Sequence, residues 1–189
     1  MMDKTHQTAI VLSPPENARD SIQAIRKQHD RNFRLCMPHV TLVYPFRPKD
    51  QFDDLAEAFA EACRTIEPFD VTLNAFQFFQ HGRRGFTMWL GPEPKDAVGV
   101  LQEALWKVVP DCDEVGRHRD GFTPHLSVGQ LRRRDELDAV LQDLQADWTP
   151  LTFRADRVDL IWRLDPPDDV FSVGYSIGLG TGTVQRVKM

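Results

Sequence analysis

Two short segments of this chain carry the residue types that acid–base chemistry needs, in nearly the same order. Pro38 to Leu42 reads PHVTL, and Pro124 to Val128 reads PHLSV. In a β-strand, side chains two residues apart point to the same face, so each histidine and the hydroxyl residue after it would project together. Two such strands side by side would gather His39, Thr41, His125 and Ser127 in one cleft. One imidazole could then accept a proton while the other donates one.

A histidine on a strand is more often structural, with one ring N–H bonded to a carbonyl group. Two copies that lie 86 residues apart, each after a proline, favour a shared chemical role instead. A phosphoryl group in transit spreads negative charge over its oxygens, which hydroxyl and imidazole groups can bind. A metal site would require further ligands, and neither His81 nor His118 shows ligand spacing. We therefore expect no metal and no cofactor.

Composition limits the classes of protein to which the chain can belong. Its 189 residues suffice for one sizeable core, and we expect a single domain over residues 1–189, acting as a monomer. The formal charge of −5 argues against a protein that coats nucleic acid through bulk electrostatics. No apolar run is long enough to span a membrane, and the N-terminus lacks the pattern of a signal peptide. Three widely spaced cysteines favour a reducing, cytoplasmic setting.

Hydrophobic periodicity predicts an alternation of strands and helices. The predicted strands cover residues 8–12, 40–46, 69–79, 86–90, 151–153, 157–163 and 170–179, and the predicted helices cover 16–29, 52–66, 96–109 and 136–146. This order indicates an α+β fold: a duplicated, two-lobed α/β sandwich with two pseudo-symmetric halves. Antiparallel sheets would line a central cleft, with the helices outside.

Several residues outside the two motifs are candidates for binding a nucleotide. Trp162 and Arg163 end an apolar strand, and an aromatic face beside a guanidinium suits a base beside a phosphate. Arg83 lies at a glycine-flanked hairpin tip, and Arg117 and Arg119 precede the second motif. Exposed arginines at turns are also commonly just solvated, and both interpretations stay open for these three.

Two further segments have structural interpretations. Strict alternation from His39 places Tyr44 on the opposite face, in the core or at the rim of the cleft. The run Arg132–Arg134 is expected to open a helix on a solvated face.

Together, the segments PHVTLVYPF at 38–46 and FTPHLSV at 122–128 resemble the paired H-x-T/S signatures of the two-histidine (2H) phosphoesterase superfamily, in its 2′-5′ RNA ligase-like or cyclic phosphodiesterase branch. The resemblance implies that His39 and His125 are the acid–base pair and that Thr41 and Ser127 hold phosphate oxygens. Better-known bacterial members have an arginine and an aromatic residue in the first strand, whereas residues 8–12 here read TAIVL.

The expected function is that of a metal-independent phosphodiesterase. Its substrate would be a 2′,3′-cyclic phosphate or a 2′-5′ phosphodiester of a nucleotide or RNA end, with no membrane partner. One alternative is a module that binds nucleotides or RNA ends and has lost turnover. Another is a 2′-5′ RNA ligase, which would use the same pair in reverse. The sequence leaves open which histidine is the base.

Overall fold

The computed structural model describes residues 3–82, 85–117 and 121–187. Within these ranges the strands are β1 (Thr8–Leu12), β2 (Val40–Val43), β3 (Phe69–Gln80), β4 (Phe86–Glu93), β5 (Leu126–Leu131), β6 (Leu151–Ala155), β7 (Arg157–Trp162), β8 (Ser172–Gly178) and β9 (Val184–Arg186). The α-helices are α1 (Asp20–His29), α2 (Phe52–Arg64), α3 (Lys95–Val108) and α4 (Arg134–Asp147). No helix in the described part of the chain is both long and apolar enough to cross a membrane.

The strands form one antiparallel sheet in the order β6-β3-β4-β5-β2-β1-β7-β8-β9. This confirms the predicted α+β class with antiparallel strands. The two predicted sheets are continuous, because β2 and β5 pair at the centre through Val40 and Leu126. That junction is narrow, since every other pair of neighbouring strands has a longer register.

The order of elements repeats around this central junction. The series β1-α1-β2-α2 recurs as β4-α3-β5-α4, and β1 lies outside β2 just as β4 lies outside β5. The two motif strands are therefore equivalent members of the two series. That the chain is one domain with two pseudo-symmetric halves stays a prediction.

The main core lies between the helices and one face of the sheet. Each helix contributes at least one fully buried apolar side chain to it: Ile22, Phe59, Leu101 and Leu137. Such an apolar stripe on each amphipathic helix must be buried against another element. A smaller apolar cluster of Ala9, Val11 and Ile161 occupies the opposite face of the sheet.

Some predicted boundaries were wrong. The strand predicted over 40–46 ends at Val43, because Pro45 has no N–H to give to a ladder. The helix predicted over 16–29 begins with a separate 3₁₀ turn, and α1 itself starts at Asp20. Strand β9 was not predicted, since its three residues are all exposed and show no apolar alternation.

Arg134 opens α4 and pairs with an acidic side chain on that helix, as predicted for a solvated face.

Strand β2 contains a β-bulge immediately after the first motif. Thr41 pairs with Val11 of β1, but the next register position joins Val43 to Ile10. Leu42 is therefore an extra residue, and both Leu42 and Val43 are fully buried in the main core.

Strand β5 contains the equivalent bulge. Ser127 pairs with Trp89 of β4, but the next position joins Gly129 to Met88. Val128 is the extra residue, and both Val128 and Gly129 are buried. From the first strand residue onward, β2 and β5 thus share one burial pattern: buried, partly exposed, buried, buried.

The two bulges have the same consequence. An extra residue reverses the facing of every later side chain, because the side-chain period of a strand is two. Tyr44 and Gln130 therefore lie on the face of the motif histidines, five residues after each one.

We predict that Gly129→Ala destabilises the fold by about 1–3 kcal/mol, because helix α1 packs directly on this position. A Cβ atom there would lie 2.5 Å from the Cβ of His29 and 2.9 Å from the Cε of Met88. Urea unfolding measures the change. Gly99→Ala on α3 is the matched control: its Cβ would meet nothing within 4 Å, so it should stabilise the helix by roughly 0.5–1 kcal/mol. Equal stability of Gly129→Ala and wild type would contradict this account of the bulge.

Candidate active site

The two motifs meet at the centre of the sheet. Val40 and Leu126, the residues after the two histidines, pair with each other in antiparallel orientation. This register sets His39 beside Ser127 and Thr41 beside His125. The four predicted side chains line one cleft with a volume of about 330 Å³.

Each histidine is held by the residue before its preceding proline. The Nδ1–H of His39 donates to the carbonyl oxygen of Met37 at 2.7 Å, and the Nδ1–H of His125 donates to that of Thr123 at 2.8 Å. A proline restricts the residue before it to extended backbone, which fixes the direction of that carbonyl. In the neutral ring the basic lone pair is then on Nε2. The two motifs therefore set the same tautomer in both histidines.

His39 is partly buried, and its surroundings favour the neutral ring. Burial lowers the pKa of His39 from 6.5 to about 4, and the bond to the Met37 carbonyl opposes this only in part. Repulsion from the positive charges of Arg26 and His125 contributes to this lowered pKa, and the Asp30 carboxylate opposes it. His39 is therefore unprotonated near neutral pH, as a proton acceptor must be.

Two aromatic side chains pack against the ring of His125. Phe79 meets the His125 ring edge-to-face, with 4.9 Å between the ring centroids, and Trp89 lies 6.0 Å away. Phe79 and Trp89 are stacked on each other at 4.9 Å. Together with the bond at Nδ1, this packing restricts the orientation of the His125 imidazole.

A buried ion pair that sequence reasoning missed borders the cleft. The Nε of Arg26 lies 2.8 Å from the carboxylate of Asp30, and both side chains are almost fully buried. Arg26 also donates to the carbonyl oxygen of Cys36 at 2.9 Å. The pair thus ties the end of α1 to the segment that leads into the first motif. The i, i+4 spacing was visible in the sequence, but surface helices carry many such pairs, and nothing local indicates burial.

The structure separates Trp162 from Arg163. Trp162 follows the cleft-facing Ile161 on β7, so it lies on the other face, packs on the main core and stacks under Lys49 Nζ at 3.1 Å. It does not line the cleft, and the alternation of side chains along a strand explains why. Arg163 does reach the rim, where its guanidinium lies 4.9 Å from the ring centroid of Phe171, a residue that lines the cleft.

Arg117, one of the two arginines predicted before the second motif, is not brought to the histidines. Arg117 pairs with Asp113 at 2.7 Å and lines a different groove, of about 900 Å³, beside α3. Arg117 directly follows a 3₁₀ turn at 114–116, and its ion pair holds it beside that turn, although the loop is close in sequence to His125. Arg83 and Arg119 lie outside the described residues. Among residues 3–82, 85–117 and 121–187, no group of three or more His, Cys, Asp or Glu side chains could hold a metal ion.

Other cleft residues become visible only in the structure. Tyr44, predicted in the core or at the rim, lines the cleft because of the bulge in β2. Gln130 does so because of the bulge in β5, and Thr87 faces it from β4. A sequence signal existed only for the bulges: two adjacent apolar or small residues after each hydroxyl residue break the alternation.

We predict that stability falls with acidity because of His39. Its pKa is lower in the native protein than in the unfolded chain, so the unfolded state binds more protons between about pH 6.5 and 4. The contribution of neutral His39 to the free energy of unfolding is fully present above pH 6.5. It is lost as the pH falls toward 4, and the loss is at most about 3 kcal/mol. Urea unfolding of wild type and His39→Asn across this range measures it. Parallel pH profiles for the two proteins would contradict the prediction.

Curated proteins of similar sequence bear the name phosphoesterase. A protein of Oceanobacillus iheyensis named "Putative phosphoesterase OB1230" is 26% identical over 157 residues, which cover 82% of this chain and 89% of the relative. A Bacillus licheniformis protein with the same description is 28% identical over 158 residues, with 82% and 89% coverage.

Solved structures share the fold at lower identity. The Thermus thermophilus protein TT0787 superposes with a TM-score of 0.61 at 19% identity, covering 92% of this chain and 97% of its own. E. coli LigT complexed with 3′-AMP has a TM-score of 0.56 at 15% identity, covering 94% and 99%. Residues 14–167 match the model of the 2′-5′ RNA ligase superfamily, and the chain belongs to this superfamily of two-histidine phosphoesterases.

Proposed function

We propose that this protein is a metal-independent phosphodiesterase that opens 2′,3′-cyclic phosphate or 2′-5′ phosphodiester bonds of nucleotides or RNA ends. The observation that carries the proposal is the central arrangement of two imidazoles, each fixed through Nδ1 and each beside a hydroxyl side chain. We place the enzyme in the cytoplasm, because its three cysteines are free thiols.

We assign different roles to the two histidines, because the pKa of His39 is lowered. His39 is neutral near pH 7, so its Nε2 would take a proton from water as the water oxygen attacks phosphorus. The bond from phosphorus to one ribose oxygen breaks in line with this attack. His125 would enter protonated and give its Nε2 proton to that departing oxygen. The product is one phosphomonoester, and proton exchange with solvent restores both rings.

The two hydroxyl side chains would bind the oxygens of phosphorus that take no part in the proton transfers. Thr41 lies beside His125 and Ser127 lies beside His39, so each row of the site pairs one imidazole with one hydroxyl. Hydroxyl donors placed there stabilise the charge that develops on phosphorus in the transition state. The serine in the second motif retains the group that this role needs.

The relatives support the choice of substrate class. The curated relatives bear the name phosphoesterase, and crystals of E. coli LigT hold 3′-AMP, phosphate or ATP. Among these ligands, 3′-AMP is the phosphomonoester that opening of 2′,3′-cyclic AMP can give. A nucleoside 2′,3′-cyclic phosphate is therefore the first substrate to test.

Ligation remains the second candidate, because the description of the family names it. It would use the same acid–base pair, with a 5′-hydroxyl in place of water. Adding an oligonucleotide with a free 5′-hydroxyl to the assay below separates the two. A new phosphodiester would indicate ligation, and a phosphomonoester would indicate hydrolysis.

We predict that wild-type protein converts 2′,3′-cyclic AMP to one phosphomonoester in excess EDTA, as followed by phosphorus NMR. His39→Asn and His125→Asn should each lower the rate on the order of 10²- to 10⁴-fold, since each removes one proton transfer. His29→Asn on α1, outside the cleft, is the matched control and should retain the wild-type rate. Full activity in either cleft variant would refute the two-histidine mechanism. Tight binding of the cyclic nucleotide without any product would instead favour a binding module.

We predict that the hydroxyl groups, rather than the side-chain volumes, matter at the other two positions. Thr41→Val and Ser127→Ala should lower kcat on the order of 10²-fold, because each removes one donor to the charged phosphorus oxygens. Thr41→Ser and Ser127→Thr keep the hydroxyl and should stay near wild type. The same NMR assay compares them, and equal rates for Thr41→Val and Thr41→Ser would exclude the proposed role.

A further inference from the structure

Two side chains that belong to neither motif occupy equivalent places in the two halves of the cleft. Tyr44 and Gln130 each lie five residues after a motif histidine, and each returns to the cleft face through a bulge. One is aromatic and the other is an amide, so the two ends of the cleft differ in chemistry.

The strand register gives the order of these groups along the cleft. Gln130 continues β5 beyond Ser127, whereas Tyr44 continues β2 beyond Thr41, and the two strands are antiparallel. The resulting order is Gln130, then His39 with Ser127, then Thr41 with His125, then Tyr44. His39 is thus next to the amide end, and His125 is next to the aromatic end.

The Tyr44 end of the cleft is apolar. Ala9 and Ile161 pair with each other on neighbouring strands and belong to the apolar cluster against which Tyr44 and Phe171 pack. Arg163 stacks over the outer side of this cluster, 4.9 Å from the ring centroid of Phe171. Aromatic rings beside a guanidinium form a surface on which a flat, weakly polar group such as a nucleobase stacks.

The Gln130 end of the cleft is polar, and its amide has a fixed orientation. The Oε1 of Gln130 accepts from the backbone N–H of Arg31 at 3.2 Å, and its Nε2 donates to Asp30 at 3.0 Å. Asp30 is itself held by Arg26. A flipped amide would lose both bonds, so the second Nε2–H stays a donor. Thr87, opposite Gln130, adds a hydroxyl to the same end.

We propose that Tyr44 and Gln130 are specificity-determining residues that fix the direction in which the substrate lies in the cleft. The nucleoside would stack at the Tyr44 and Phe171 end, with its departing ribose oxygen at His125. The attacking water, or the hydroxyl that replaces it, would enter at the Gln130 end next to His39. This inference rests on the proposed phosphodiesterase function, and it adds which end of the cleft holds which part of the substrate.

The proposed orientation of the substrate predicts different kinetic effects for substitutions at Tyr44 and at Gln130. Tyr44→Leu should raise KM for 2′,3′-cyclic AMP about 10-fold with kcat within twofold of wild type, because a stacking surface is lost. Tyr44→Phe keeps the ring and should restore the wild-type KM, although it loses the hydroxyl that donates to the His6 carbonyl.

Gln130→Met should change kcat rather than KM. It should lower kcat about 10-fold with KM within twofold of wild type, because the Nε2–H donor on the side of the nucleophile is lost, together with the bonds to Asp30 and to the Arg31 N–H. Gln102→Met on α3, away from the cleft, is the matched control and should match wild type in both parameters. Circular dichroism checks that each variant is folded.

Binding separates failure of this inference from failure of the proposed function. The affinities for 3′-AMP and for inorganic phosphate can be measured by calorimetric titration. Tyr44→Leu should lower the affinity for 3′-AMP about 10-fold and leave the affinity for phosphate unchanged. If wild type hydrolyses no cyclic nucleotide but this binding pattern holds, the proposed function fails while the nucleoside end stands. If wild type hydrolyses the substrate but Tyr44→Leu alters only kcat, or Gln130→Met alters only KM, the direction is overturned. Equal affinity of wild type for 3′-AMP and phosphate would also overturn it.

Discussion

The pairing of Val40 with Leu126 is the contact on which the rest of the site depends. It is the narrow junction between the two halves of the sheet, and it follows each motif histidine by one residue. Because the strands are antiparallel, this one register sets both histidines and both hydroxyl residues. A shift of one residue would turn the motif side chains of that strand into the core. The bulk of the fold, with helices against the opposite face, serves to hold this register.

Each motif fixes the orientation and the tautomer of its own histidine. The proline extends the residue before it, and that residue's carbonyl binds the histidine Nδ1–H. The tautomer is therefore a local property, encoded within three residues. The protonation state of His39 is not a local property. His39 owes its lowered pKa to burial beside Arg26, a residue of α1 that the chain brings back to the first motif.

The bulges explain why a simple alternation argument failed for part of the site. Counting by twos from His39 sends Tyr44 to the core, and counting from Ser127 does the same to Gln130. An extra residue in each strand reverses both results. In β5 the bulge also needs Gly129, because α1 approaches too closely for a Cβ atom. The cleft thus acquires chemically different ends from two strands that otherwise follow one pattern.

From the sequence alone we predicted that the four motif side chains line one cleft, and we predicted the α+β class and nearly all strands and helices. These features were predictable because the effects of proline and the pattern of apolar residues act between residues that are close in sequence. Tertiary structure decided which other residues join the motif side chains. Trp162 lies on the core face of the sheet, and Arg117 lines another groove. The cleft is lined in addition by Arg26, Asp30 and Gln130. Those outcomes depend on strand register and on the burial of charge between distant segments, for which single residues and their spacing carry no signal. The local pattern marks only the bulges.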